Sequence, residues 1–183
     1  MLANYAVGLL ETSSLAKGIE AADAMVKMAN VTLVKTAVIA RGKLVILISG
    51  PLGEVEQALR AGRNLADKSV VDEVLIRNVH KGVIDALDKR VPVERLEAVG
   101  IIETKDAISA VRAADAAAKA AAVHVIECKT IVGGGKGYLT FTAEVGAVRT
   151  AVAAGISAIK AEAIVSHVVI PQPDQQLLAT VGK

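Results

Sequence analysis

The chain has 183 residues and a formal net charge of +2; 53% of its residues are hydrophobic, but only 2% are aromatic. Its 21 basic and 19 acidic residues are spread along the sequence, so neither a basic footprint nor stacking rings indicate a nucleic-acid-binding protein. The single cysteine, Cys128, excludes a disulfide or a multi-cysteine metal site within one chain. A core of small aliphatic residues with few aromatics favours oligomerisation, which buries more surface.

The N-terminal stretch reaches Glu11 without a basic leader, which predicts that it is not a signal peptide. No apolar run reaches the length of a membrane span. We therefore expect a protein of the reducing cytosol, with neither nucleic acid nor a membrane among its partners.

Taken in chain order, the first half predicts strand, helix, strand, strand, helix and strand. Apolar runs and alternation indicate the strands, and apolar residues at helical spacing indicate the helices. Ser13 or Ser14 is available as the N-cap of the first helix. The predicted elements cover residues 4–11, 13–29, 31–39, 43–49, 53–68 and 71–79.

The second half repeats the first. "AVGLLET" at 6–12 returns as "AVGIIET" at 98–104, and "AADAMVK" at 21–27 returns as "AADAAAK" at 113–119. The order βαββαβ is thus present twice, which predicts an α+β fold of two ferredoxin-like (split βαβ) domains. Each would be an antiparallel sheet with two helices on one face and the other face available.

The domain boundary is predicted around Pro92, because proline-containing "RVPVERLEAVG" separates the two repeats. The first domain would cover residues 1–92 and the second residues 93–183. The end of the chain, "DQQLLATVGK", is predicted to be a short terminal helix, with contact to a neighbouring molecule or an encapsulated enzyme as the alternative.

Three consecutive glycines, Gly133 to Gly135, precede Lys136 and raise the question of a phosphate-binding loop. A Walker loop needs a glycine where Thr130 stands and a Ser or Thr where Gly137 stands, followed by a helix. The residues after the lysine alternate like a strand instead. The glycines therefore indicate a need for bare backbone other than nucleotide binding.

The motifs together resemble the bacterial microcompartment shell domain. They are "AVGLLETSSLAKGIEAADAMVKMANVTLV", the loop "ARGK", "GPLGEVEQAL" and "VVIPQPD". Two such domains in this order resemble the unpermuted, tandem-domain, trimer-forming shell proteins. The resemblance implies a pseudohexameric trimer that packs edge to edge with other shell proteins in a cytoplasmic polyhedral shell around enzymes. It implies a structural protein with a central pore for small metabolites, without catalysis and without a cofactor, and with encapsulated enzymes as candidate partners.

In this family the loop between the second and third strands lies on the ring axis. The resemblance puts Arg41 at the pore-lining position of the first repeat and Gly134 at that of the second. A shift of one residue would make Ala40 the lining residue and turn Arg41 to a face, and Arg41 as an ordinary solvated loop charge is a further alternative. The expected pore residues are Ala40, Arg41, Gly42, Gly133, Gly134 and Gly135, the glycines letting three backbones approach one axis.

Three arginines near the axis would attract small anions and repel cations. Some relatives carry a cysteine in the first loop, where three copies hold an iron–sulfur cluster. This chain has Ala40 or Arg41 there, so no cluster is expected. Cys128 lies in an apolar strand and is expected to be an inert buried thiol, with a metal or redox role as the alternative.

Lys27 and Lys119 match the family's edge lysine, which packs against its counterpart in the neighbouring tile. Asn78 and Gln172 stand where the family has an arginine between two prolines, so the charge and the forked geometry are lost. The alternative for both lysines is a solvated helix end.

Other constellations give weaker signals. Glu11 and Glu103 end equivalent strands, and their duplication favours a structural position in which the acid accepts hydrogen bonds from helix amides. His80, His124 and His167 show no ligand spacing. Besides the shell protein, a small-molecule-binding regulatory module with tandem ferredoxin-like domains remains as the alternative function. An enzyme would need a cluster of titratable groups that the sequence does not show.

Overall fold

A computed structural model describes residues 5–182, with Ala40 by its backbone alone. The described chain divides into two compact units, here called unit 1, which ends at Val79, and unit 2, which begins at His80. The sequence repeat places the joint near Pro92, whereas the compact units divide before residues 80–92.

Unit 1 has the predicted order of elements. Its sheet runs β2-β3-β1-β4, and every neighbouring pair is antiparallel. Ser14 is the N-cap of α1, because its side chain accepts a hydrogen bond from the Lys17 amide. The elements are β1 (Tyr5–Thr12), α1 (Leu15–Met28), β2 (Thr32–Ile39), β3 (Lys43–Pro51), α2 (Leu52–Ala66) and β4 (Val70–Ile76).

Unit 2 repeats this topology, with strand order β6-β7-β5-β8. Asp106 caps α4 by accepting a hydrogen bond of 2.7 Å from the Ser109 amide. An additional short helix, α3 (Lys81–Ala86), precedes the repeat. The other elements are β5 (Ala98–Thr104), α4 (Ala107–Ala120), β6 (His124–Val132), β7 (Lys136–Ala143), α5 (Val145–Ser157) and β8 (Ile164–Ile170). The α+β, ferredoxin-like prediction is confirmed for both units.

The core of each unit lies between the sheet and its two helices, as the alternation of strand residues requires. In unit 1, Leu10, Met25 and Ile46 are fully buried there. The opposite face of the sheet in unit 2 is covered rather than available, because Leu178 and Val181 pack against a cluster of Leu96, Val99 and Ile126. The expectation of a free sheet face is therefore wrong for unit 2.

The C-terminal segment forms this cover without being the predicted α-helix. It consists of a 3-10 turn, Gln175–Leu177, followed by a π turn, Leu178–Gly182. The Gln175 amide group donates to the Leu96 carbonyl at 3.0 Å, and the Val93 amide donates to the Gly182 carbonyl at 2.9 Å. These bonds hold residues 175–182, here called the tail, on unit 2.

Residues 80–92, here called the connecting segment, also fold onto unit 2. Val83 and Ala86 are fully buried, and the Val91 amide donates to the Ile126 carbonyl at 2.8 Å. The apolar side of α3 packs on β6 and α4, which explains why this stretch belongs to the second unit although it follows β4 in the chain.

Candidate functional site

The loop between β2 and β3 is a tight 3-10 turn, Ala40–Gly42, with an unusual backbone. Arg41 has φ 64° and ψ 28°, and Gly42 has φ 69°. A left-handed backbone is disfavoured for any residue with a Cβ and costs about 1–2 kcal/mol. Arginine is thus held at a position where glycine would fit better, which is a common mark of a functional loop.

The loop between β6 and β7 has the same geometry, built from Gly133–Gly135. Gly134 has φ 80° and ψ 6°, so it corresponds to Arg41 in conformation as well as in sequence. Gly135 has φ 95°. Gly133 differs from both because its φ is not positive. As at Gly134, no described atom lies within 4 Å of the place a Cβ would occupy. Among residues 5–182, no contact requires glycine at position 133.

The charges beside the two loops are arranged in equivalent pairs. Lys43 donates to Glu11 at 2.6 Å, and Lys136 donates to Glu103 at 2.9 Å. Within residues 5–182, by contrast, the exposed Arg41 side chain has no ion-pair or hydrogen-bond partner. Arg41 is therefore the loop charge that is not neutralised.

These pairs correct the expectation for Glu11 and Glu103. The carboxylates bind lysine side chains of the neighbouring strand, and the helix amides are capped by Ser14 and Asp106 instead. The physical reason is the antiparallel register, which brings the start of β3 or β7 alongside the end of β1 or β5.

Replacing Arg41 with glycine is expected to leave the free energy of unfolding unchanged or to raise it by up to about 1 kcal/mol. The relief of the left-handed backbone offsets the greater entropy of glycine in the unfolded chain. The same change at Arg60, within α2, should lower stability by about 1 kcal/mol, because glycine weakens a helix interior. Urea unfolding of both variants measures the difference, and equal losses would contradict the strain at Arg41.

The predicted edge lysines end equivalent helices. Lys27 contacts Asp23 at 2.6 Å, and Lys119 contacts Asp115 at 2.6 Å. The Lys27 side chain is 73% exposed and that of Lys119 44%. Both pairs are of the i,i+4 kind that contributes little to stability, so either lysine can exchange its partner for one in a neighbouring molecule.

Asn78 and Gln172 are both exposed and follow the last strand of their units. Asn78 has φ 52°, a left-handed conformation that asparagine tolerates better than most residues. Gln172 lines a broad hollow of about 590 Å³ whose surface is mainly polar and includes the side chains of Arg95, Glu97 and Glu144. Such an open polar hollow differs from the apolar pockets that bind small molecules.

Unit 2 contains a buried charge cluster that the sequence did not reveal. Glu127, with its side chain 4% exposed, accepts hydrogen bonds from Tyr138 at 2.5 Å and Arg90 at 3.1 Å, and it pairs with Lys129 at 3.2 Å. Burial alone would raise the pKa of Glu127, but the bonds from Tyr138, Arg90 and Lys129 outweigh it and lower the pKa. Burial and the bond to Glu127 raise the pKa of Tyr138 to about 12.

Arg90 belongs to the connecting segment, whereas Glu127 and Lys129 lie in β6. The hydrogen bond from Arg90 to Glu127 therefore holds the segment on β6. Arg90 and Glu127 come together by packing across a long stretch of sequence, so no local motif marks them. Next to the cluster, Cys128 is fully buried. Burial raises the pKa of its thiol, and the charges of Asp88 and Glu127 add to the effect. The expectation that this thiol is buried is confirmed.

No helix among residues 5–182 is long and apolar enough to cross a membrane. Over the same residues, no three His, Cys, Asp or Glu side chains lie together as metal ligands would.

Known proteins share this architecture. A family model described as the BMC domain matches residues 6–79 and again residues 98–173. The bacterial microcompartment shell protein PduT of Citrobacter freundii is 38% identical over 176 residues, which cover 95% of this chain and 96% of that protein. The carboxysome shell protein CcmK2 of Synechococcus elongatus is 36% identical over 94 residues, which cover 51% of this chain and 92% of that protein.

Solved structures agree with these relatives. The crystal structure of a microcompartment protein from Desulfitobacterium hafniense DCB matches with a TM-score of 0.90 and 40% identity, over 96% of this chain and 98% of that one. The fused permuted hexameric shell protein MSM0275 matches with a TM-score of 0.61 and 22% identity, over 86% of this chain and 85% of that one, and shares the fold.

Proposed function

Because the chain belongs to the BMC domain family of microcompartment shell proteins, with two such domains in tandem, we propose that it forms a pseudohexameric trimer whose loops line a central pore. Its structural role in a shell follows from the family. The trimer, the pore and the residues of each belong to the proposal. The shell role takes precedence over the regulatory module named as an alternative, since the relatives are shell proteins.

The observation that carries the pore is the equivalence of the two loops. Arg41 and Gly134 share one unusual backbone conformation at the same place in two copies of one fold. Three two-domain chains supply six such loops, and a head-to-tail ring brings equivalent positions to one axis. Gly133 supports this arrangement, because no atom of residues 5–182 would hinder a side chain there, whereas the close approach of other copies would.

The pore we propose is lined by Ala40, Arg41 and Gly42 from the first repeat and by Gly133, Gly134 and Gly135 from the second. Arg41 supplies its positive charge, since the neighbouring lysines are neutralised by glutamates. Small anionic metabolites are the solutes that such a pore favours. The tile edges form a separate part of the proposal. There, Lys27, Lys119, Asn78 and Gln172 contact other shell proteins.

In the cell, the proposed place of the trimer is the shell of a bacterial microcompartment. Encapsulated enzymes are further proposed partners on its inner side.

The mass of the native assembly tests the trimer, and electron microscopy of the same sample tests the tile. We expect flat sheets from the natural chain, and trimers without sheets when Lys27 and Lys119 are both replaced by alanine. The two i,i+4 pairs contribute only about 0.3–0.5 kcal/mol each to folding, so the fold persists.

Lys68 and Lys160 provide the control, because both are exposed and lie in the short connections that follow α2 and α5. Their double replacement by alanine should leave the sheets intact. A monomer or dimer without ordered assembly would overturn the proposed trimer, and sheets that survive the loss of Lys27 and Lys119 would overturn the edge assignment.

A further inference from the structure

The two units differ in one equivalent surface. In unit 1 it is formed by Ile19, Asp23 and Val26 on α1 and by Leu33 on β2, and it is called the α1–β2 surface here. Ile19 is 62% exposed and Leu33 41% exposed, whereas their counterparts in unit 2, Val111 and Val125, are 0% and 3% exposed. The pattern extends along the strand, since every position of β2 is exposed or half-exposed, while residues 125–128 of β6 are buried.

The connecting segment lies on this surface in unit 2. The His80 amide donates to the Asp115 carboxylate at 2.8 Å, and α3 packs against both α4 and β6. A Cβ at Gly82 would lie 3.9 Å from the Val125 side chain. Unit 1 presents the same features without such a segment, because Asp23, the counterpart of Asp115, has a side chain that is 57% exposed rather than 12%.

Residues 174–177, which begin one residue before the tail, repeat the start of the connecting segment. Ile76 and Ile170 pair with equivalent residues of β1 and β5, and the two stretches that follow them reach His80 and Asp174 after equal numbers of residues. The His80 side chain accepts from the Gly82 amide at 3.1 Å, and the Asp174 side chain accepts from the Gln176 amide at 2.8 Å. Each therefore caps a helical turn in the same way.

Both capped turns carry an apolar residue at the next position. In the connecting segment this residue is Val83, which is fully buried. In the tail it is Leu177, which is 37% exposed although Gln175 and Leu178 on either side hold the tail to unit 2. The tail thus presents an apolar side chain without a place to bury it, and the α1–β2 surface offers such a place.

We propose that residues 174–177 of one copy of this chain dock on the α1–β2 surface of a second copy. The inference rests on the trimer proposed above and names the contact that closes it head to tail. Leu177 packs against Ile19 and Leu33 of the second copy. The Asp23 carboxylate of the second copy accepts a hydrogen bond from the backbone amide of Asp174. This contact between two chains is equivalent to the contact that the connecting segment makes with α4 and β6 within unit 2. Such repetition of one contact is expected in a closed ring of equivalent units.

Engineered disulfides test this contact, because Leu33 and Gln176 correspond to the neighbouring pair Val125 and Gly82. Both residues are exposed, and the natural Cys128 is buried and does not compete. We expect the Leu33→Cys and Gln176→Cys chains, when co-expressed and oxidised, to give a species of twice the 18.8 kDa chain mass on a denaturing non-reducing gel. A chain with both changes should run as a covalent trimer.

The matched control pairs Gln176→Cys with Gln57→Cys, which lies on the exposed side of α2 in the same unit. It should remain uncrosslinked. A trimer by native mass that forms no Leu33–Gln176 disulfide, or that forms it only within one chain, would overturn the contact and leave the proposed function standing. A monomer by native mass would instead overturn the trimer and the contact with it.

Discussion

Replacing Gly100 with alanine is expected to lower the free energy of unfolding by about 3 kcal/mol, the upper range for an overpacked core. A Cβ at this position would lie 2.3 Å from the Phe141 ring. Phe141 is the only phenylalanine of the chain, it is fully buried, and it pairs with Gly100 across β5 and β7. Because the ring is fully buried and β5 lies between two other strands, we expect little of this strain to be relieved in the native state.

The repeat supplies the control for this prediction. Gly8 is the counterpart of Gly100, and it pairs with Ile48. A Cβ there would lie 2.9 Å from Val55 and 3.0 Å from Leu59, both aliphatic side chains. Small shifts of these side chains relieve the contact, so Gly8→Ala should lower stability by only about 1 kcal/mol. Urea unfolding at one protein concentration compares the two.

A second change identifies the cause. Phe141→Leu should lower stability by itself, yet it should remove most of the additional loss when it is combined with Gly100→Ala. Independent, additive losses would show that the ring and the glycine are not coupled.

The sequence predicted the fold well because the local signals agree with one another. The helical and alternating apolar patterns, the serine before α1 and the repeat of all elements point to one topology. The positions of the two loops follow from the same reasoning, because each lies between two strands of strong β character. That Arg41 has a left-handed backbone could be inferred only from its alignment with a glycine.

The features that the sequence did not predict depend on distant contacts. Helix α3 is short, and its burial depends on α4 and β6, which come much later in the chain. Glu127 belongs to a charge cluster because Arg90, distant in the sequence, binds it. The tail covers a sheet face that its own local sequence pattern does not predict. Lys43 binds Glu11 because of strand register, whereas the local reasoning favoured helix amides. Each case is one of tertiary structure overriding a local preference.

Neutralising Arg41 is expected to abolish the anion preference of the proposed pore. Three guanidinium groups roughly 6 Å from an ion contribute roughly 2 kcal/mol in water, which is more than a tenfold preference for anions at low salt. Screening should reduce this preference at physiological ionic strength. The reversal potential of the trimer across a salt gradient in a planar bilayer measures it, and Arg41→Gln should bring the anion-to-cation ratio close to one.

Two variants decide whether the position or the overall charge is responsible. Gly134→Arg adds a cation at the conformationally equivalent position, where no atom of residues 5–182 lies within 4 Å of a Cβ. It should raise the anion preference at a stability cost of about 1–2 kcal/mol. Arg60→Gln removes the same charge from α2 and should leave the ratio unchanged. If Arg41→Gln also leaves it unchanged, Arg41 points to a face of the tile, and Ala40 becomes the residue that lines the pore.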